Sequence, residues 1–223
     1  LEIGPGKGAM TSLLLEKCES LTAIEIDKDL IRFLKKAYGD RKNFNLIEKD
    51  ILLYDPKELV RVNKLIGNIP YNISTPIIEW IIDNKSSFDE IFLMLQKEFG
   101  ERCVAQPNTK SYGRLSIFVQ CFFDVTVIRE VDKSSFDPSP KVQSIFLKLI
   151  PKVSDMTPNS ILMKNLSTLT REAFSKRRKL ITNSLKSFFT EEDLVNLGIE
   201  RKSRPENLSV ETYIKLAKSI QSG

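Results

Sequence analysis

Leu65-Ile66-Gly67-Asn68-Ile69-Pro70-Tyr71-Asn72-Ile73-Ser74-Thr75-Pro76-Ile77-Ile78-Glu79-Trp80 reads as a strand that ends in a short polar turn and gives way to a helix. In open α/β sheets, ligands bind where strands end. Each residue of the turn has a use if the ligand is a flat base carrying an amino group. Asn68 offers a carbonyl acceptor. Pro70 fixes the backbone, so a neighbouring carbonyl can be aimed. Tyr71 offers a ring for stacking. Asn72 and Ser74 suit loop shaping and helix capping.

The same alternation runs outward over the first 150 residues. Leu1-Glu2-Ile3 closes a strand, and Gly8 to Glu19 reads as a helix. Leu21 to Ile26 is strand-like, Asp29 to Tyr38 helical, and Phe44 to Ile47 and Lys64 to Ile66 strand-like. A helix over Thr75 to Asp83 leads to the apolar strand Ile91 to Leu95. Repeated strand–helix units predict a parallel sheet with helices on both faces. The run from Leu115 to Phe123 is apolar throughout. Val125 to Val131 and Val142 to Ile150 are separated only by a short segment, so an antiparallel edge pair is expected. The fold class is thus α/β, a Rossmann-like, mostly parallel sheet with an antiparallel edge strand, followed by a small all-helical domain. Helices are expected over Ile161–Ser175, Arg178–Phe189, Glu191–Leu197 and Val210–Ile220. Thr190 before Glu191-Glu192-Asp193 suits an N-cap, and Gly198 a C-terminal stop. The domain boundary falls at 153/154.

Composition removes several kinds of chemistry. With no histidine in 223 residues, His-based zinc sites, Ser-His-Asp triads and the commonest general base are absent. Cys18, Cys103 and Cys121 lie far apart without CxxC spacing, as expected for buried thiols in a reducing compartment. No apolar run approaches the ~20 residues that cross a membrane. The chain begins at Leu1, inside a strand, so a preceding signal or transit segment stays open. Charge is uneven: residues 151–223 hold 13 Lys+Arg against 8 Asp+Glu, whereas residues 1–150 hold 21 of each. That excess fits a polyanionic partner, although a solvated helical face would also carry it.

Three further strand ends carry candidate ligand residues. Leu1-Glu2-Ile3-Gly4-Pro5-Gly6-Lys7-Gly8 places glycines where a backbone must turn tightly and a ligand can approach. The GxGxG spacing differs from the GxGxxG dinucleotide fingerprint, and a P-loop Lys-Ser/Thr ending is missing. Glu2 adds a carboxylate suited to a cationic cofactor. Glu25, at the end of the next strand, can accept from both ribose hydroxyls of NAD or of S-adenosylmethionine. Asp27 can cap the following helix. Asp50 can accept from an adenine amino group while Ile51 packs on the ring.

Together with Asn68-Ile69-Pro70-Tyr71, these residues resemble the class I S-adenosylmethionine-dependent methyltransferases. Ile69 stands where the amino-methylating members carry the first Pro of their (Asn/Asp)-Pro-Pro-(Tyr/Phe) motif. Asn68 to Pro76, Leu95-Gln96-Lys97-Glu98, Tyr112-Gly113-Arg114-Leu115-Ser116 and Phe136-Asp137-Pro138-Ser139-Pro140-Lys141-Val142-Gln143-Ser144 look like the rRNA adenine dimethyltransferases. Glu172-Ala173-Phe174-Ser175-Lys176-Arg177-Arg178-Lys179 and Arg204-Pro205-Glu206-Asn207-Leu208-Ser209 look like the KsgA branch, which dimethylates two adjacent adenosines near the 3′ end of small-subunit rRNA. That family has a basic, Gln-Asn-Phe-containing segment before its first strand, which helps enclose cofactor and target base.

The resemblance implies S-adenosylmethionine as methyl donor, S-adenosylhomocysteine as product and no metal. Cofactor contacts are expected from Glu2, Gly4, Gly6, Gly8, Glu25, Ile26, Asp50, Ile51 and Asn68. Asn68, Pro70, Tyr71 and, by resemblance, Phe136 form the catalytic set, the two aromatics holding opposite faces of a flipped base. The Asn68 oxygen and the carbonyl of Ile69 or Pro70 are the expected acceptors for the amino group. Lys176, Arg177, Arg178 and Lys179, with Arg201, Lys202, Arg204 and Arg114, are the expected RNA contacts, directed at phosphates. The implied partner is small-subunit rRNA within a 30S particle, met by a monomeric, cytoplasmic enzyme without a membrane. Rival readings are an Erm-type large-subunit rRNA methyltransferase, a DNA adenine methyltransferase, an NAD-dependent dehydrogenase, and a non-catalytic RNA-binding factor on the same scaffold. The motifs after residue 95 disfavour the Erm type, and the glycine spacing disfavours the dehydrogenase.

Overall fold

Apolar runs and helix-period stretches alternate in the folded chain as they do in the sequence. The computed structural model describes residues 1–58, 62–135, 141–153 and 160–220. In chain order the elements are β1 (Glu2–Ile3), α1 (Ala9–Lys17), β2 (Leu21–Glu25), α2 (Lys28–Tyr38), β3 (Phe44–Glu48), β4 (Lys64–Asn68), α3 (Ser74–Asp83), β5 (Glu90–Gln96), α4 (Lys97–Val104), α5 (Arg114–Phe122), β6 (Phe123–Val131) and β7 (Ser144–Pro151). After them come α6 (Ile161–Ser175), α7 (Ile181–Ser184), α8 (Glu191–Asn196) and α9 (Val210–Ser219).

The seven strands form one sheet in the order β3-β2-β1-β4-β5-β7-β6. The first five of that order run parallel, and β7 runs antiparallel to β5. The chain moves from β1 outward to β3 and returns to β4 on the other side of β1. The strand order therefore reverses between β1 and β4, where a crevice opens at the carboxyl ends. The two strands expected as an edge pair do neighbour each other at the edge of the sheet, with β7, not β6, set against β5. Burial explains the choice. Ile91, Leu93 and Leu95 of β5 face Leu149, Leu147 and Ile145 of β7, all nearly inaccessible. With a side-chain period of two, a slip of one residue would expose that entire apolar set.

Contacts divide the chain into two compact units, residues 1–100 with 126–151, and residues 101–125 with 152–223. The sheet core of the first is built from Ile3, Ala23, Ile24, Leu65, Ile91 and Leu93, and α3 buries Ile77, Ile78 and Ile81. The second unit is helical. Its two largest buried side chains, Tyr112 and Tyr213, donate to the carbonyls of Leu208 and Pro205, both at 2.9 Å, so neither hydroxyl is stranded. Phe174 lies against both rings.

Local signals in the second unit are mostly obeyed. Thr190 caps α8 with three acidic residues in the first turn, and Gly198 ends the segment at φ +81°. The helix expected over Arg178–Phe189 is instead the single turn Ile181–Ser184. Lys179 N–H bonds back to Lys176 O, and Leu180 is extended, so the Ile181 N–H reaches Ser203 O at 2.8 Å. A tertiary hydrogen bond thus replaces the first intrahelical ones. The apolar run is helix α5 as far as Phe122, and Phe123 begins β6. Cys103 and Cys121 are buried, and burial pushes both thiols up to about 12; Cys18 is exposed.

Candidate functional site

The first unit brings the predicted strand-end residues to one edge of the sheet, around the β1/β4 crevice. The glycine turn after β1 is not uniform. Gly4 and Gly6 both lie at φ +59°, and a Cβ on either would meet nothing within 4 Å. These two bound open space in a backbone conformation that L side chains rarely adopt. Gly8 is different. Its N–H is used by Pro5 O, and a Cβ there would stand 2.7 Å from the Tyr38 ring. Gly8 therefore lets α2 pack against the start of α1, and its free side faces protein.

Glu2 is fully buried, with one oxygen accepting from Thr11 Oγ1 of α1 at 2.8 Å. Its other oxygen, Oε1, has no partner among the described residues. Burial pushes the Glu2 carboxyl up to about 6, against the Thr11 hydrogen bond. An under-satisfied carboxylate beside two open glycines is a place where a cation is favoured. Glu25 is buried at the end of β2. Its Oε1 accepts from the N–H groups of Ile26 and Asp27 at 2.9 and 3.0 Å, and Oε2 faces the Gly6 N–H at 3.4 Å. The carboxylate is thereby fixed in orientation and keeps lone pairs for hydroxyl donors. Asp27 caps α2, as its position suggested. Asp50 follows β3 and uses Oδ1 on the Leu52 N–H, leaving Oδ2. Of the two apolar neighbours named from the sequence, Ile51 is buried and Ile26 is 64% exposed. Ile26 is thus the one that offers an apolar surface beside Glu25.

Asn68 is the last residue of β4 and is exposed. The ladder continues one residue beyond it: Ile69 N–H donates to Met94 O at 3.0 Å, a bond a proline cannot make. The Ile69 side chain is 1% exposed, and its Cδ1 occupies the space a Cβ on Gly67 would need. Gly67 and Ile69 together hold the backbone on both sides of Asn68. Pro70 O accepts from Ile73 N–H at 3.1 Å and from Ser74 Oγ at 3.5 Å. Its carbonyl is occupied within the turn, which leaves that of Ile69 as the second candidate acceptor. Tyr71 is 37% exposed, and its hydroxyl lies 3.4 Å from that of the buried Ser144 at the start of β7. Sequence reasoning missed Ser144 as a partner, since only the sheet brings β7 to this edge. Phe136 and the Pro-rich motif through Pro140 lie outside the described residues.

In the second unit, Arg114 is exposed at the first position of α5, and Lys176, Arg178 and Lys179 are exposed around the end of α6. Arg177 is not equivalent to them. Its Nε pairs with Glu206 at 2.6 Å and its Nη2 donates to Thr109 O at 3.2 Å. Arg201 pairs with Glu191, while Lys202 and Arg204 are exposed. Among the described residues, no cluster of three or more His, Cys, Asp or Glu could hold a metal ion. No helix of the described residues is long and apolar enough to cross a membrane.

A seven-stranded sheet reversed at β1/β4, with its antiparallel strand inserted before the last edge, defines the chain as a class I methyltransferase. The profile of the family described as "Ribosomal RNA adenine dimethylase" matches residues 1–222. The chain belongs to that family. A ribosomal RNA small subunit methyltransferase A from Legionella pneumophila (strain Corby) is 41% identical over 223 residues, covering 100% of this chain and 86% of the relative. One of the same name from Coxiella burnetii (strain RSA 493) is 38% identical over 220 residues, covering 97% and 84%. The crystal structure of a dimethyladenosine transferase from Plasmodium falciparum superposes with TM-score 0.79 at 30% identity, covering 96% of this chain and 86% of that one. The 23S rRNA methyltransferase ErmE shares the fold, at TM-score 0.73 and 22% identity over 98% of this chain and 89% of its own.

Proposed function

We propose that this chain dimethylates the 6-amino groups of two adjacent adenosines near the 3′ end of small-subunit rRNA, with S-adenosylmethionine as donor. The relatives named small subunit methyltransferase A support the substrate. The observation that carries the chemistry is the pair of acceptors at the end of β4, the exposed Asn68 amide and the Ile69 carbonyl, which no backbone hydrogen bond among the described residues uses.

An adenine amino nitrogen is a poor nucleophile because its lone pair is delocalised into the ring. Asn68 Oδ1 and Ile69 O each accept one of its hydrogens. That favours a pyramidal nitrogen whose lone pair points along the path of attack. Bound S-adenosylmethionine supplies an electrophilic methyl on a sulfonium. Asn68 Oδ1 and Ile69 O would hold the nitrogen in line with that methyl, which would pass to nitrogen as its bond to sulfur is given up, and the proton released would go to water. Rate comes from positioning and fixed dipoles. The alkylated nitrogen is acidic, so the reaction proceeds in a chain without histidine.

Residues of the first unit fit the donor. The open space at Gly4 and Gly6 admits its backbone-like portion, and the field of Glu2 favours its positive charge. Glu25 accepts from the ribose hydroxyls. Asp50 accepts from the adenine amino group, and Ile26 covers that ring. Tyr71 and Phe136 stack on the flipped target base. Lys176, Arg178, Lys179 and Arg204 meet phosphates of a small-subunit particle in the cytoplasm, with the enzyme acting as a monomer and without a metal. The test is methyl transfer from labelled donor to undermethylated small subunits, followed by mapping of the modified nucleotides. Dimethyladenosine at two adjacent positions near the 3′ end is expected. Label found only in large-subunit rRNA would replace this reading with the Erm type.

A further inference from the structure

The second unit contains a polar cavity of about 530 Å³, lined among others by Asn108, Glu200, Lys202, Asn207 and Thr212. The α4–α5 loop, the α8–α9 connection and the first turn of α9 line it, and long-range hydrogen bonds tie these loops to each other and to the turn after α6. Arg177 joins the turn after α6 to Glu206 and to Thr109 O. Asn108 N–H donates to Glu206 O at 2.8 Å, and Asn207 Nδ2 donates to Asn108 Oδ1 at 2.7 Å. Asn207 Oδ1 in turn accepts from the Arg204 N–H at 2.6 Å. Asn108 sits at φ +69°, in the left-handed region, the sole non-glycine residue at positive φ among those described. Asn adopts that region readily, and here hydrogen bonds to Glu206 and Asn207 hold the loop in it.

The lining has a particular chemistry. Lys202 supplies a cation, Glu200 a carboxylate and Thr212 a hydroxyl, while the Asn108 and Asn207 side chains bond each other and shape the wall. A site for phosphate alone gains nothing from a carboxylate. A ribose–phosphate unit uses both, since the phosphate meets Lys202 and the 2′-hydroxyl, the one free hydroxyl of an internal ribose, donates to Glu200. The 2′-hydroxyl is what lets a protein distinguish RNA from DNA. We propose that this cavity seats a ribose–phosphate unit of the RNA substrate, and that the Arg177–Glu206 pair is a positioning element that holds the cavity in shape. This rests on the rRNA-methylating function and adds a second RNA-reading site outside the catalytic unit.

The opposing expectation for Glu200 decides the matter. A carboxylate that merely stands near a polyanion repels it, so Glu200→Ala would tighten binding. A carboxylate that accepts the ribose 2′-hydroxyl is lost with the opposite sign. Binding of the full chain is measured across a salt series, with undermethylated small subunits and with a structured RNA hairpin and its all-deoxy counterpart. Glu200→Ala is expected to weaken RNA binding several-fold, with the salt slope and DNA binding unchanged. Lys202→Ala is expected to weaken both and to reduce the salt slope by about 0.9, the loss of one phosphate contact. Glu206→Gln is expected to weaken RNA binding without changing the slope. Glu200 and Lys202 are exposed, so both single variants are expected to fold, which circular dichroism checks. Tighter RNA binding by Glu200→Ala, or wild-type behaviour of Glu200→Ala and Lys202→Ala, overturns the proposal. If small subunits are neither bound nor methylated while the hairpin effects persist, the substrate reading fails and the cavity assignment stands.

Discussion

The two units position their polar groups by different means. In the first, the backbone does the positioning: the predicted ligand residues among those described, from Glu2 to Tyr71, lie at or just beyond the ends of parallel strands, and the ladder fixes where those ends lie. Asn68 needs no side-chain partner to be placed, because the ladder bond from Ile69 to Met94 extends past it. In the second, the cations sit on turns, and side-chain bonds such as Arg177–Glu206 and Asn207–Asn108 give those turns their shape. A site built on strand ends tolerates loss of its functional side chains without unfolding. A site built on tied loops loses shape when a tie is cut, so stability and binding fall together.

The widest gap between function and stability is expected at Asn68. Asn68→Ala removes one of two acceptors and is expected to lower kcat by roughly 10²–10³, the usual cost of losing one polarising group. Its thermal unfolding midpoint should stay at the wild-type value, because the side chain is exposed. Wild-type turnover would break the comparison and favour a non-catalytic RNA-binding factor. The neighbouring position inverts the pattern. Ile69→Pro brings the chain closer to the amino-methylating motif, yet it deletes a ladder bond and a buried side chain. A loss of about 3 kcal/mol in denaturant unfolding is expected.

Glu2 joins stability to donor binding. Its carboxyl is raised to about 6 from 4.5, so the folded state holds the proton more tightly than the unfolded one. Stability is therefore lost as pH rises through that window, by about 2 kcal/mol. Glu2→Gln should abolish this loss, stabilising the donor-free protein above pH 6 while weakening donor affinity in calorimetry. Unchanged affinity would detach Glu2 from the donor site.

The smallest effects separate the two kinds of cation. Arg177→Ala should cost about 1 kcal/mol of stability, since the pair is partly exposed. Lys179→Ala should leave the unfolding midpoint unchanged and reduce the salt slope of RNA binding by about 0.9. Identical behaviour of the two variants would erase the distinction between tied and free cations.

Much of the first unit was legible because its signals are local. The runs Leu21–Ile26 and Ile91–Leu95 carry their own strand periodicity, and the polar residues at strand ends follow in sequence. Ser144 was not legible as a partner of Tyr71, for they are far apart in the chain and meet only through strand order. The place of β7 depended on matching its buried face to that of β5, which no single window contains. In the second unit, Lys176–Lys179 looked uniform, yet Arg177 faces Glu206 while its neighbours face solvent. Helical periodicity likewise could not foresee that Ile181 N–H would bond Ser203.

The sequence by itself determined the order of elements, the glycine turn, the carboxylates and Asn68 at strand ends, the cationic last third and the absence of an imidazole. These are properties of composition and of short windows, where side-chain period and turn chemistry act directly. Only the tertiary structure decided that β7 lies inside the sheet, that Gly8 serves Tyr38 packing, that Pro70 spends its carbonyl on the turn and Ile69 keeps its own, and that Arg177 is a tie. Each of those outcomes depends on a partner distant in the chain, and it is burial and hydrogen-bond satisfaction across the fold that select the partner.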